Sequence, residues 1–500
     1  MPKRLILFFL KDDEIITSSL IYTLKNLSGI SSEIVIIGKN LPHEFSDYKN
    51  FKNLSDYNTY DDFEQIIISK SSFYGPFNSF DKIFDKMSGF DFWSLDELFL
   101  NTKTFIVFNK PMLKNSAFLQ FLESKNGIEE FKKQGFSFGL YSNDIINIHI
   151  NIENYSYPII HKSYFYKTTQ NTFNYRLKFT YDYIKNVLKF DTDLIIEDLI
   201  KDKKANLIIK NLHLNYILPS DFAKESTSTH KVATIMFIHP ESLIEECRSY
   251  ADIIPEHIDI FVVSTSESVL DKCKNSFDTL NNKVEYRLQP NRGRDNAALL
   301  ITCSDVIKNY EYICFVHAKL SNHLKHKALS DDFRNHCFKS LLYSKEYISN
   351  IISTFENNKY LGILAPFPPN FQPFVAIGDE WSRNLNNASN FIKNRLNIDI
   401  PLSEEDPICT FGNMFWFRGK ALNTLNNAKL SIEDFPEEPL TDYDGLLTHA
   451  IERIIPAIAQ IDGFYTSYVA SVEYATIYLD NVMNDFKLIR KDFLKKNNVK

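Results

Sequence analysis

Apolar residues in this chain fall into short continuous runs separated by longer amphipathic stretches, and that alternation sets the elements. Arg4–Leu10, Glu33–Gly38 and Gln65–Ser69 read as strands, with helices over Ile15–Leu27 and about Ser79–Lys86. Leu41–Asp62, polar and rich in Tyr, Asn and Asp, reads as loop with a short helix. Thr104–Phe108 is an aromatic strand, followed by a helix over Asn115–Glu123. Strands alternating with helices predict an α/β layer fold with a mostly parallel sheet. Beyond Thr172 the pattern turns helical and charged, through Tyr181–Lys189 and Asp193–Lys201. Ala223–His230 is small, polar and aperiodic, which marks it as a linker.

After the linker the pattern starts again. The strand Lys231–Ile238 parallels the opening strand, a helix over Glu241–Ala251 follows, and Ile258–Ser264 matches Glu33–Gly38. Gly412–Arg418 resembles Lys103–Phe108, and both continue into a lysine and a leucine-bearing helix, Ala421–Leu425 in the later copy. The expectation is two related α/β domains in tandem: 1–222 with a helical extension, a linker at 223–230, 231–480, and a basic tail at 481–500.

Five hundred residues suit two cores better than one. A net charge of −7 gives no global basic field, so nucleic acid is not an expected partner. The 42 Phe and 26 Tyr fit large cores first and sugar-facing platforms second. Six cysteines, without a C-x-x-C pair, read as small hydrophobes of a reduced, cytoplasmic protein, and no zinc pattern is visible. The apolar opening is too short for a signal peptide, and no run has the length of a membrane span. The tail Lys487–Lys496 alternates basic and apolar residues, which suits either a solvated helix or docking on anionic lipid at the inner face of the cytoplasmic membrane.

The chemistry-bearing stretch runs from Val284 to Lys319. A strand ends in Pro290, the turn Asn291-Arg292-Gly293-Arg294-Asp295 opens a helix, and a second strand ends in His317-Ala318-Lys319. Ligands of open parallel sheets sit at strand carboxyl ends. Cations around a turn glycine beside a helix start suit a phosphate or diphosphate; the alternative is an N-capping Asp295 with solvated arginines. The first half has no counterpart to this turn. Further on, the acidic, proline-stiffened loop Glu433–Gly445 leads into a helix carrying His449 and Arg453 one turn apart. Glu438 or Asp444 could serve as a general base, or Asp444 could simply cap that helix.

The Asn291–Asp295 turn, the His317-Ala318-Lys319 strand end, the Gly412–Trp416 strand and the Glu433–Arg453 segment together resemble the rhamnan synthesis protein F family, over roughly Lys231–Tyr474. Ser72–Pro76 and Asp91–Trp93 resemble it more weakly. The resemblance implies two GT-A-like, Rossmann-type domains, the first degenerate, and a glycosyltransferase of bacterial surface polysaccharide assembly. It implies a nucleotide-sugar donor, with dTDP-L-rhamnose favoured, and a lipid-linked or glycan acceptor. The donor-binding set is then Asn291, Arg292, Gly293, Arg294, Asp295, His317 and Lys319, with His239 and Thr265. Glu438 and Asp444 are the catalytic candidates, and His449 and Arg453 support them. The GT-A pattern has an Asp-x-Asp metal pair where this chain has His317-Ala318-Lys319, so no cofactor is expected and protein cations take the metal's place. The alternative is a non-catalytic glycan-binding or scaffold component of a polysaccharide synthase.

Overall fold

Val232–Ile238 (VATIMFI) is apolar at nearly every position and buried at all of them, which marks a strand covered on both faces. A computed structural model of the chain describes residues 2–57, 59–110, 118, 121, 131, 133–142, 152, 157–166, 175–201, 212, 214–223, 230–318, 327–369, 381–400, 402, 408–440, 442 and 444–496. They divide into two compact units, Met1–Leu199 and Ile200–Lys500.

The first unit contains β1 (Arg4–Leu10), β2 (Glu33–Gly38), β3 (Lys49–Phe51), β4 (Gln65–Lys70), β5 (Phe73–Tyr74), β6 (Phe92–Ser94), β7 (Phe105–Asn109), β8 (Phe138–Leu140) and β9 (Ile160–His161). Its main sheet has the order β3-β2-β1-β4-β7-β6-β8, while β5 and β9 form a separate pair. The second unit contains β10 (Tyr216–Leu218), β11 (Val232–Ile238), β12 (Asp259–Ser264), β13 (Val284–Leu288), β14 (Tyr312–Ala318), β15 (Leu361–Pro366), β16 (Phe415–Arg418) and β17 (Tyr465–Ser471). Their order is β10-β17-β15-β16-β14-β11-β12-β13.

Both sheets are mostly parallel, as the alternating pattern predicts. Each also runs third, second, first and fourth strand, followed by an antiparallel one: β7 on β4, and β16 on β14. The reading of Leu41–Asp62 as loop misses β3, a three-residue edge strand without an apolar run. Phe92–Ser94, to which the pattern assigns no element, is β6. The helix expected over Asn115–Glu123 falls largely outside the described residues.

The domain boundary also shifts. Tyr216–Leu218 was assigned to the first domain, yet β10 pairs in parallel with β17, so it belongs to the second unit. Residues 224–229 of the expected linker lie outside the described residues.

In the second sheet the chain steps from β11 to β12 and β13 on one side, then to β14 on the other. The switch point of this sheet is therefore between β11 and β14, whose registers end at Ile238 and Ala318. A core of Phe237, Phe315, Phe415, Phe435, Ile451 and their neighbours packs against one face of the sheet. All six cysteines are buried and unbridged, as small hydrophobes would be. Among the described residues, no helix is long and apolar enough to cross a membrane.

Candidate active site

The carboxyl ends of β11, β12, β13 and β14 carry most of the residues singled out by the sequence. His239, just past β11, shares a 2.7 Å hydrogen bond between Nδ1 and Oγ1 of Thr265, just past β12. Beyond β13, buried Gln289 clamps the turn. Its backbone N–H donates to the Ser264 carbonyl, and its Nε2 donates to the Arg294 carbonyl at 2.9 Å.

The turn itself is left-handed twice over, with φ of 75° at Gly293 and 48° at Arg294. A Cβ at Gly293 would lie 2.7 Å from the Ala297 Cβ and 2.9 Å from the Phe435 ring, so both backbone angle and space call for glycine. The helix it opens is one turn long, Arg294–Ala297, before the backbone widens into a π-helix over Ala298–Thr302. The expected anion site at the start of a regular helix is thus reduced to the arginines and the turn.

The two arginines take different partners. Arg292 turns to the backbone: Nε donates to the Phe435 carbonyl at 2.6 Å and an Nη to the Glu433 carbonyl at 3.0 Å, with a Glu437 carboxylate oxygen 3.5 Å away. It pins the acidic loop. Arg294 presents a fork to Glu438, with 2.6 and 3.1 Å from Nε and an Nη to the two carboxylate oxygens. The Glu438 side chain is 15% exposed, against 47% for Arg294, and the Leu440 N–H also donates to it. A candidate donor ligand and a candidate base therefore hold each other.

A second left-handed pair, Gly412 (φ 73°) and Asn413 (φ 51°), precedes β16. Because β16 is antiparallel to β14, with Phe315 opposite Phe415, its beginning meets the end of β14. There His317, nearly buried, donates from Nε2 to the Gly412 carbonyl at 2.6 Å and lies 3.6 Å from an Asp295 oxygen. Asn413 donates from Nδ2 to Asp295 at 2.6 Å and to Asn296 Oδ1 at 3.2 Å. Asn296 in turn donates to the Thr448 carbonyl. Asp295, expected as donor-binding or as a cap, thus receives the Asn413 amide and sits beside His317. Lys319 lies outside the described residues. Among the described residues no group of three or more His, Cys, Asp or Glu side chains is arranged to hold a metal ion. Asp295 accepts from Asn413, and His317 Nε2 donates to a carbonyl.

Asp444 is not a helix cap. The N-cap of Leu447–Ile461 is Leu446, whose N–H donates to His449 Nδ1. Instead Asp444 accepts from Asn384 Nδ2 at 2.5 Å and from the Arg383 N–H at 3.4 Å, with an Arg453 Nη 3.8 Å away. Burial works to push its carboxyl up. The Ser382 and Asn384 side chains, Arg453 and the Arg383 N–H outweigh it and bring the carboxyl down to about 2. Arg453 also donates to the His449 carbonyl, so both expected supporting residues lie in this network.

Gln289, Asn296, Ser382, Asn384 and Asn413 are participants that the sequence reading misses. Of these only Asn413 sits in a recognised motif. An open groove of about 600 Å³ borders the Asp444 loop, lined by Asn387, Asn390, Asn394, Arg395, Phe391 and Gly445–Leu447.

The model of the family described as rhamnan synthesis protein F matches residues 137–464, which takes in every site residue above. The Ser72–Pro76 and Asp91–Trp93 pieces fall outside that match. Two curated relatives, each described as uncharacterized protein WxcX, come from two strains of Xanthomonas campestris pv. campestris. They are 26% identical over 166 residues, 33% of this chain, and the chain spans only 22% of their length. Similar solved structures include the glycosyltransferase GlyE of Streptococcus pneumoniae TIGR4, at 11% identity and a TM-score of 0.23, covering 62% of this chain and 84% of that one. Another is glucosyl-3-phosphoglycerate synthase of Mycobacterium tuberculosis in complex with Mn2+, UDP and glucosyl-3-phosphoglycerate, at 11% identity and 0.23, covering 51% and 78%. Superpositions at that score carry no argument about this chain.

Proposed function

This chain belongs to the rhamnan synthesis protein F family, and on that premise we propose that it is a glycosyltransferase of polysaccharide assembly whose second unit binds the donor at the β11/β14 switch point. The donor in this reading is a nucleotide-activated deoxyhexose, dTDP-L-rhamnose, and the acceptor a lipid-linked or free glycan. The degenerate partner in a tandem pair would be the first unit, whose sheet shares the strand order but has no counterpart to the Asn291–Asp295 turn.

The observation that carries the reading is the Arg294–Glu438 fork. A planar guanidinium at the mouth of the sheet, held in a strained left-handed turn, grips two oxygens of one anion. A donor diphosphate offers the same pair of oxygens. When the donor binds, Arg294 transfers from carboxylate to diphosphate, joined by Lys319, and Glu438 is released as the base for the acceptor hydroxyl. Glu438 is better suited than Asp444, because a carboxyl held at about 2 accepts a proton poorly. Asp444 then positions the loop beside the asparagine-lined groove, which suits the hydroxyls of an acceptor sugar. Fixed cations stabilise the leaving diphosphate.

Binding of dTDP-L-rhamnose measured by calorimetry, and sugar transfer followed by release of dTDP, test this together. Arg294→Ala should weaken donor binding by about 1.5–3 kcal/mol, and Glu438→Gln should retain binding while turnover collapses. Transfer should survive EDTA. Unchanged affinity in folded Arg294→Ala places the donor elsewhere, and a chain that binds sugar nucleotides yet never transfers is a scaffold.

A further inference from the structure

The amino edge of the second sheet, opposite the candidate active site, gathers charge of its own. Lys231 leads into β11 and Glu311 into β14, and the two strands run side by side from Val232 and Tyr312. β16 is antiparallel to β14 with Arg418 opposite Tyr312, so its exit meets the same edge. The Lys231 carbonyl accepts from the Glu311 N–H, and the Glu311 carbonyl from the Gly419 N–H, each at 2.9 Å. Gly419 lies against the end of the helix Ser304–Asn309, where a Cβ would collide with the Ile307 and Tyr310 carbonyl oxygens. Only glycine allows that approach, and the residue after it is Lys420. The edge encloses a cavity of about 260 Å³, lined by Lys231, Lys308 and Lys420 from three separate segments, together with Asn309 and Asn423.

Three ammonium groups in one cavity repel one another unless an anion stands among them. Lys308 has a local reason for its place, since a cation in the last turn favours a helix C-terminus. Lys231 and Lys420 belong to other segments and have no such reason. Among the described residues none of the three lysines has an ion-pair partner. Glu311, the one carboxylate in the described lining, is met by Arg418, with an Nη 2.8 Å from its Oε1. The cavity therefore keeps three uncompensated positive charges, with two side-chain amides to donate further hydrogen bonds. Lysines serve as point charges for phosphate, and the space suits a phosphate or a small phosphate ester better than a nucleotide sugar. β14 puts about 20 Å between this edge and His317, so the cavity is separate from the donor site.

We propose that this cavity is a second anion site, which takes a phosphate dianion either free or at the end of a small ester. The assignment does not depend on the transferase reading. Inorganic phosphate and glycerol 3-phosphate are the probes, titrated calorimetrically into the full-length chain at constant ionic strength, because exposed charges respond to salt. At least one should bind one equivalent with a dissociation constant of about 1 mM or tighter, and the tighter of the two identifies the source. Lys308→Gln and Lys420→Gln should each weaken that binding about tenfold, while the thermal unfolding of the ligand-free variants matches wild type. Arg294→Ala, at the other edge of the sheet, should leave this equivalent in place. Absence of binding by both probes through the millimolar range overturns the proposal. So does binding that survives the double lysine exchange, and so does binding that vanishes in Arg294→Ala, which would place the anion at the donor site.

Discussion

Asp444 offers the sharpest separation between a carboxylate that holds structure and one that moves protons. Replacing it by Asn keeps the shape but turns one oxygen into a donor, facing either the Arg383 N–H or the Asn384 amide, and removes the attraction to Arg453. The carboxyl falls from its usual 3.8 to about 2 on folding, which corresponds to about 2.4 kcal/mol. With 19% of the side chain in water, solvent screening brings this to about 1–1.5 kcal/mol. The sign is that of a depressed acid. The contribution is complete above the unfolded value, drains as pH falls towards 2, and is about half gone at pH 3. Urea unfolding of wild type and Asp444→Asn, in a Trp93→Phe background so that Trp381 and Trp416 report the second unit alone, measures it between pH 7 and pH 3. The gap between the two proteins should narrow on acidification. Equal stability at pH 7, or a gap independent of pH, refutes the anchoring role.

Three further outcomes follow from the geometry. Gly293→Ala should destabilise the second unit by roughly 1–3 kcal/mol, since strain at positive φ adds to the clash with Phe435; thermal unfolding reads this. His336 is buried between Tyr474 and the Phe367 carbonyl, and burial pushes it down to about 4. A lowered histidine contributes stability that is full above about 6.5 and lost as pH falls towards 4, so His336→Asn should flatten the pH dependence of unfolding across that window. Asn413→Ala should release Asp295 and lower donor affinity by at least about 1 kcal/mol, visible by calorimetry, while far-UV circular dichroism stays unchanged.

The buried parallel strands were legible because continuous apolar runs such as Ile258–Ser264 and Tyr312–Ala318 have no other use at that length. What the periodicity left unread depends on distant partners. Tyr216–Leu218 becomes a strand through β17, some 250 residues later, and the boundary moved with it. The same holds at the site. The turn Asn291–Asp295 announces itself by composition, but nothing local distinguishes Arg292, which binds backbone carbonyls of the acidic loop and lies 3.5 Å from Glu437, from Arg294, which forks onto both oxygens of Glu438. Asn384 and Ser382 lie in a polar stretch without pattern, and only the fold brings them to Asp444.

The antiparallel entry of β16 has a bearing on which length changes the chain can absorb. Parallel strands leave the sheet at the ligand edge, so their loops there can lengthen without disturbing what lies upstream. β16 instead enters at that edge, with Asn413 two residues ahead of the Phe415–Phe315 pairing. Inserting or deleting one residue between them would turn Phe415 and Phe417 to the opposite face, or drag Asn413 away from Asp295. Indels should therefore be excluded from the few residues around Asn413, and equally from the turn after Arg418, where Gly419 abuts the Ile307 and Tyr310 carbonyls and Ala421 and Leu422 are buried.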